Sequence, residues 1–154
     1  MPIPPLDNRG LLPEGIYNAN FAEIMQIFCF NHHRDMLWQQ VMNGVLIEKI
    51  PVSLDYPLFL AGSFLSDKPN PGDIEMTVQI NATNLVFPDT PHLFALCAED
   101  ERHRLKKGYR LDFYPYYAQM GNDFSLFFQY VGDKTATLKG LAAQDKRGIV
   151  RVTP

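Results

Sequence analysis

The chain lacks most of the features that assign a sequence quickly. No apolar run approaches the roughly 20 residues that a membrane-spanning helix needs, so no membrane segment is expected. There are only two cysteines, Cys29 and Cys97, and they lack CxxC spacing. Both sit inside apolar helical patterns and are expected as reduced core residues of a cytoplasmic protein. Basic charge is not in excess: 14 Lys and Arg against 17 Asp and Glu leave a formal net charge of −3. A mildly acidic chain is not expected to bind DNA generally. The opening segment, MPIPPLDNRGLLPEG, lacks the basic-then-apolar pattern of a secretory signal. Of the four histidines, His32 and His33 are adjacent and diverge, while His92 and His103 stand alone. That spacing suits neither a zinc site nor a Ser–His catalytic pair. Internal repeats and low-complexity linkers are missing too, so the 154 residues are expected to form one domain.

What is present is an ordinary globular composition, 46% apolar and 20% charged, with recognisable punctuation. Residues 1–19 are Pro-rich and are expected as an extended arm lying over the domain. Asn20 with Glu23 three positions on reads as a capping box, opening a helix that buries Phe21, Ile24, Met25 and Phe28. A second helix is expected from about Arg34 to Ile50, burying Trp38, Val41, Met42 and Val45. Leu58 to Ala61 is a short apolar run, as in a strand covered on both faces. Asp73 to Ile80 alternates: Ile74, Met76, Val78 and Ile80 face one way, and Asp73, Glu75, Thr77 and Gln79 the other. Thr90 and Pro91 open a third helix that runs through a basic turn, Arg102 to Lys107, and stops at Gly108. Tyr109 to Tyr114 alternates again, with Leu111 and Phe113 inward and Asp112 outward. A short helix over Phe124 to Val131 and a last strand over Gly148 to Val152 complete the pattern. Helices and strands interleave without regular βαβ repeats, which predicts an α+β fold: a small mixed sheet backed by helices.

The stretch GSFLSDKPNPGDIEM, Gly62 to Met76, concentrates the chemistry. Asp73 and Glu75, two apart on a strand, project from the same face. Their repulsion calls for a cation or for free water. Asp112 lies on the polar face of a later strand, and if the two strands are neighbours three carboxylates converge. Hard divalent ions such as Mg²⁺ take carboxylates together with substrate phosphates. Two such ions roughly 4 Å apart stabilise both oxygens in phosphoryl displacement. Gly62 has no Cβ to keep a ligand off the backbone, and Ser63 brings a hydroxyl and an N–H. Lys68, in the intervening loop, is a candidate phosphate contact; the alternative is a solvated lysine.

Other features have plainer readings. The wet side of DIEMTVQI is by itself the normal pattern of a half-exposed strand. Asp112 could simply pair with Arg110 or a lysine at the surface. The basic turn complements a helix C-terminus more readily than it contacts RNA or a triphosphate. Tyr114, Tyr116 and Tyr117 are read as packing around Pro115 in a loop, in preference to stacking on a base.

Taken together, strand, Gly62-Ser63, a spacer of about ten residues, Asp73 and Glu75 on the next strand and Asp112 on a later one resemble the nucleotidyltransferase superfamily in its polymerase-beta-like sense. LLPEGIYNANFAEI, FFQYVGD and KRGIVRV extend the likeness over most of the chain, towards an uncharacterised bacterial family of minimal nucleotidyltransferase-like proteins. The resemblance implies that Gly62 and Ser63 hold nucleotide phosphates. It also implies that Asp73, Glu75 and Asp112 bind Mg²⁺, and that Asp112 helps activate an attacking hydroxyl. The expected ligand is a nucleoside triphosphate such as ATP, with a hydroxyl of a protein or RNA as acceptor. Glu75 stands where many superfamily members have Asp. Larger members carry a further helical domain; minimal ones lack it, and some act as antitoxins that modify a partner toxin, so a toxin–antitoxin or defence setting is implied. The rival expectation is a catalytically inactive interaction module on the same fold.

Overall fold

The computed structural model describes residues 2–154. Its strands are β1 (Ile16–Ala19), β2 (Leu58–Ala61), β3 (Ile74–Ile80), β4 (Leu111–Tyr117) and β5 (Ile149–Val152). Its helices are α1 (Phe21–Phe28), α2 (His32–Ile47), α3 (Thr90–Ala95), α4 (Glu99–Tyr109), α5 (Phe124–Phe127) and α6 (Asp133–Lys139). The strands form one mixed sheet in the order β1-β5-β2-β3-β4. β2 runs antiparallel to both β3 and β5, while β3–β4 and β1–β5 are parallel pairs. The fold is α+β, as the interleaved pattern predicts.

Alternation in β3 sets the layers. Ile74, Met76, Val78 and Ile80 are fully buried and join Leu58, Leu60, Phe113 and Val152 in the main core. Each such side chain contributes about 1.5–3 kcal/mol relative to exposure. α1 and α2 cover this face with Ile24, Phe28, Trp38 and Val41, and α3 and α4 add Leu93 and Leu105. On the opposite face Phe59, Ala61 and Ile149 pack with Phe128, just after α5, while Val131 and α6's Ala136 enclose Leu11. The acid-bearing face of β3 therefore looks towards the α5–α6 side. β4 is an edge strand, and so tolerates Pro115.

The capping box forms as the sequence predicts: the Asn20 side chain accepts from the Glu23 N–H at 2.9 Å, and the Asn20 N–H donates to the Glu23 carboxylate at 2.8 Å. Met25, expected on the buried face, is exposed. Gly44, which weakens a helix in isolation, lies where α2 meets α4: a Cβ there would approach Tyr109 Cβ to 2.7 Å.

Several expectations need correction. Part of the proposed arm is structural: residues 16–19 are edge strand β1, paired with β5, and Leu11 and Leu12 are buried. The third helix is two helices, broken between Leu96 and Ala98. The second of them ends not at Gly108 but at Tyr109, capped by Arg110 in the left-handed region at φ 55°. Thr90 lies inside α3 rather than capping it, and its buried hydroxyl donates to the Asn84 carbonyl. Neither cysteine is a fully buried core residue: Cys29 is half-buried and Cys97 exposed, and both are free thiols. α6 has no counterpart in the sequence-based reading. No helix among the described residues is long and apolar enough to cross a membrane.

Candidate functional site

β2 delivers Gly62 at φ 84°, a conformation costly for any other residue, and a single 3-10 turn follows over Ser63–Leu65. A Cβ on Gly62 would stand 2.6 Å from Glu75 Oε2. Glycine is thus required twice, by the turn and by the carboxylate that lies against it. Phe64, fully buried and stacked on Trp38 with ring centroids 5.6 Å apart, pins the turn to α2.

The loop that follows is gripped from α2 and the residues before it. Arg34 is fully buried and has carbonyls, not a carboxylate, as its hydrogen-bond partners. Its Nη1 donates to Phe64 O at 2.7 Å and Phe28 O at 2.9 Å. Nη2 donates to Ser66 O at 2.8 Å and Lys68 O at 2.6 Å. Asn31 Nδ2 donates to Pro69 O at 2.8 Å, and His33 Nε2 lies 2.7 Å from Pro71 O. Burial pulls the Arg34 pKa down to about 10, which leaves the guanidinium charged at neutral pH.

The parallel register pairs Glu75 with Asp112, and Asp73 precedes Ile74 on the same face. The three acids therefore converge. Two cations of α4 meet them. Lys106 Nζ lies 3.3 Å from Asp73 Oδ2 and 3.7 Å from Asp112 Oδ2. Arg102 Nε donates to Asp112 Oδ1 at 3.0 Å, and its guanidinium lies 4.2 Å from the Tyr114 ring centroid. The Tyr114 hydroxyl donates to Asp112 Oδ2 at 3.1 Å. Asp112 is buried, and it pairs with Arg102 and with a lysine, Lys106; Arg110, the other partner in the surface-pair alternative, does not pair with it.

Burial pushes the Glu75 carboxyl above its usual range; Asp73 and Asp112 add to this, while the positive charges of Arg147 and Lys106 oppose it. Burial alone would lower Lys106, but Asp112 and Asp73 outweigh it and hold the ammonium above the ordinary lysine value. Burial, then the charge of Asp112, raises the Tyr114 phenol.

Gly62, Ser63, Lys68, Asp73, Glu75 and Asp112 all line one open cleft of about 830 Å³. That volume is in the range of small-molecule sites. Its far wall comes from α6 and from the segment leading into β5, including Lys134, Lys139 and Arg147. Lys139 is engaged with Asp67 Oδ1 at 2.8 Å and Arg9 O at 2.6 Å. The acids suit a hard cation in donor chemistry, and Lys106 marks a position where positive charge sits between two of them. Among the described residues no set of three or more His, Cys, Asp or Glu side chains is arranged to hold a metal ion as it stands.

Lys106, Arg102, Arg34 and Arg147 were not among the expected site residues. For the first two a signal existed. They are four apart and so share a face of α4, next in sequence to the strand carrying Asp112. Arg34 and Arg147 gave none: the loop carbonyls that Arg34 holds lie 30 to 34 residues away, and Arg147 Nη1 has no hydrogen-bond partner. The aromatic residues pack, but from strand β4 and not from a loop: Tyr114 lies 5.1 Å from Phe124 and 5.5 Å from Phe128 between ring centroids, and Tyr116 is buried.

Residues 4–153 match a family of unknown function, DUF6932. The chain belongs to that family. The match covers every strand, every helix and the whole cleft of this DUF6932 domain. No curated protein and no solved structure matches it.

Proposed function

We propose that this DUF6932 protein is a minimal nucleotidyltransferase-like enzyme that binds a nucleoside triphosphate with Mg²⁺ and transfers a nucleotidyl group to a hydroxyl of a protein or RNA partner. The observation that carries the reading is the meeting of Asp73, Glu75 and Asp112 beside the Gly62–Ser63 turn, at the wall of a cleft large enough for a nucleotide. Gly62, Ser63 and Lys68 would lie along the phosphates, and Asp73, Glu75 and Asp112 would hold Mg²⁺. When bound, Mg²⁺ neutralises phosphate charge and stabilises the oxygens that enter and leave. Asp112 is the group to take the acceptor's proton, at Oδ2, where Tyr114 orients it. Lys106 is half exposed on a flexible stem, so it can leave Asp73 and Asp112 without unpacking the fold. The two free thiols support a reducing, cytoplasmic setting, and the resemblance to minimal nucleotidyltransferases supports a toxin–antitoxin or defence role.

One observation favours the rival, a catalytically inactive interaction module. Lys106 and Arg102 already neutralise Asp73 and Asp112, as they would in a site that no longer needs a metal. Thermal unfolding with ATP and Mg²⁺ against ATP and EDTA separates the two. A ligand bound by the native state alone raises the melting temperature, by about 2.7 kcal/mol of stability at a hundredfold excess over Kd. A shift larger with Mg²⁺ than with EDTA supports the enzyme; an equal shift in the two, or no shift with any nucleoside triphosphate, supports the module.

A further inference from the structure

Arg147 stands out among the cations of the cleft. Its side chain is buried, with the residue only 7% exposed, and it lines the cavity. Its Nη1 is buried without a hydrogen-bond partner, the one such side-chain nitrogen or oxygen among the described residues. Its backbone is fixed, the N–H donating to Gln129 O at 2.8 Å, and Gly148 N–H beside it donating to Leu12 O at 2.9 Å. A buried donor left unpaired costs free energy, and a guanidinium costs more than a neutral group. Arg34, the other fully enclosed arginine, shows the contrast: its donors are spent on backbone carbonyls. Glu75 is the acid whose charge Arg147 feels, yet the two form no ion pair. Arg147 thus lines the cleft with one guanidinium nitrogen left unpaired.

We propose that Arg147 is the anchor of a phosphate subsite on the α6 wall of the cleft, with Lys134 and Lys68 as its flexible partners, and that it receives a phosphoryl group of the ligand. A phosphoryl group carries up to two negative charges and several acceptor oxygens, so it can satisfy a guanidinium fork and neighbouring ammonium groups together. A single carboxylate supplies less charge and fewer oxygens. The subsite rests on the cleft being the ligand site, as in the proposed function, but needs neither Mg²⁺ nor transfer. Its phosphate can come from a nucleoside triphosphate or from free pyrophosphate, the product that nucleotidyl transfer would release.

The test is calorimetric titration of the full chain in EDTA with pyrophosphate, ATP, adenosine and citrate, for the parent, Arg147→Met and Arg147→Lys. Parent binding of pyrophosphate and ATP, with none of adenosine or citrate, is the expected result. ATP binding much tighter than pyrophosphate marks the nucleotide as the source; equal or weaker binding marks the free anion. Arg147→Met should weaken both on the order of tenfold to a hundredfold, as for loss of a charge-assisted bidentate pair, with Arg147→Lys in between. Because the substitution removes an orphaned buried donor, Arg147→Met should unfold at the same urea concentration as the parent or a higher one. No phosphate binding by the parent, undiminished binding by folded Arg147→Met, or equal binding of citrate would overturn the proposal. The subsite can be sound while the enzymatic reading fails: Asp73→Asn with Glu75→Gln should keep EDTA-resistant pyrophosphate binding whether or not Mg²⁺ matters.

Discussion

Replacing Arg34 by Met is the sharpest perturbation of the scaffold. The guanidinium sits between α2 and the loop after Gly62, donating to the carbonyls of Phe28, Phe64, Ser66 and Lys68 at 2.6 to 3.0 Å. Methionine fills much of the volume but donates nothing, so several carbonyls lose their partner in a buried setting. Each hydrogen bond to a charged group is worth about 1.5–3 kcal/mol, but the terms are not additive. Part of the sum is offset because the buried cation itself is removed. A net loss of about 3–5 kcal/mol follows, the cost typical of breaking a buried charged network. For a domain of this length each kcal/mol lowers Tm by roughly 2–4 °C, so the fall should be of order 10 °C. Urea unfolding followed by the fluorescence of Trp38, which stacks on Phe64, reads both the global transition and the loop's anchor. Arg34→Lys should recover part of the loss, since an ammonium has three donors and no planar fork. An unfolding free energy for Arg34→Met within about 1 kcal/mol of the parent's, at unchanged m, would refute the clamp.

Three further outcomes can be checked. Gly62→Ala, with its Cβ 2.6 Å from Glu75 Oε2 and φ at 84°, should cost about 1–3 kcal/mol in urea unfolding and weaken Mg-dependent nucleotide binding; an alanine variant equal to the parent in both would remove the glycine requirement. Lys106→Met should change stability by no more than about 1 kcal/mol without metal, because the lysine is half exposed, and should make thermal stability respond more strongly to Mg²⁺ than the parent's does; an unchanged Mg²⁺ response contradicts the idea that the ammonium occupies the cation position. Burial holds Glu75 above its usual range, so the fold binds that proton more tightly than the unfolded chain does; its contribution is favourable at low pH and is lost as pH rises from the unfolded value through the folded one. Glu75→Gln should therefore stabilise at pH 7, with the gain vanishing below about pH 4.3, and a gain that persists at pH 3 would contradict this cause.

The parts of the fold written in local pattern were legible. Asn20 and Glu23 cap each other three residues apart, and the alternation of Asp73 to Ile80 needs only the pleat to assign its faces. Features set by distant partners were not. β1 is four residues long and forms a strand because β5, more than a hundred residues on, pairs with it. α4 passes Gly108 because the left-handed turn falls two residues later, at Arg110. The candidate site divides in the same way. Gly62, Asp73 and Glu75 belong to one short segment, and Asp112 could be placed once its strand was assumed to neighbour theirs. The positive half, Lys106, Arg102 and Arg147, is assembled by tertiary packing. Lys106 in particular resembles a residue complementing a helix C-terminus until β4 is laid beside β3.

The most direct measurement is calorimetric titration of ATP, with and without Mg²⁺, into the parent chain and the Asp73→Asn, Glu75→Gln double variant. If Asp73, Glu75 and Asp112 jointly hold a metal–nucleotide complex, the parent binds ATP more tightly with Mg²⁺, and the double variant, folded and no less stable, loses that Mg²⁺-dependent gain. Equal Mg²⁺-dependent affinity in the two chains would contradict the account.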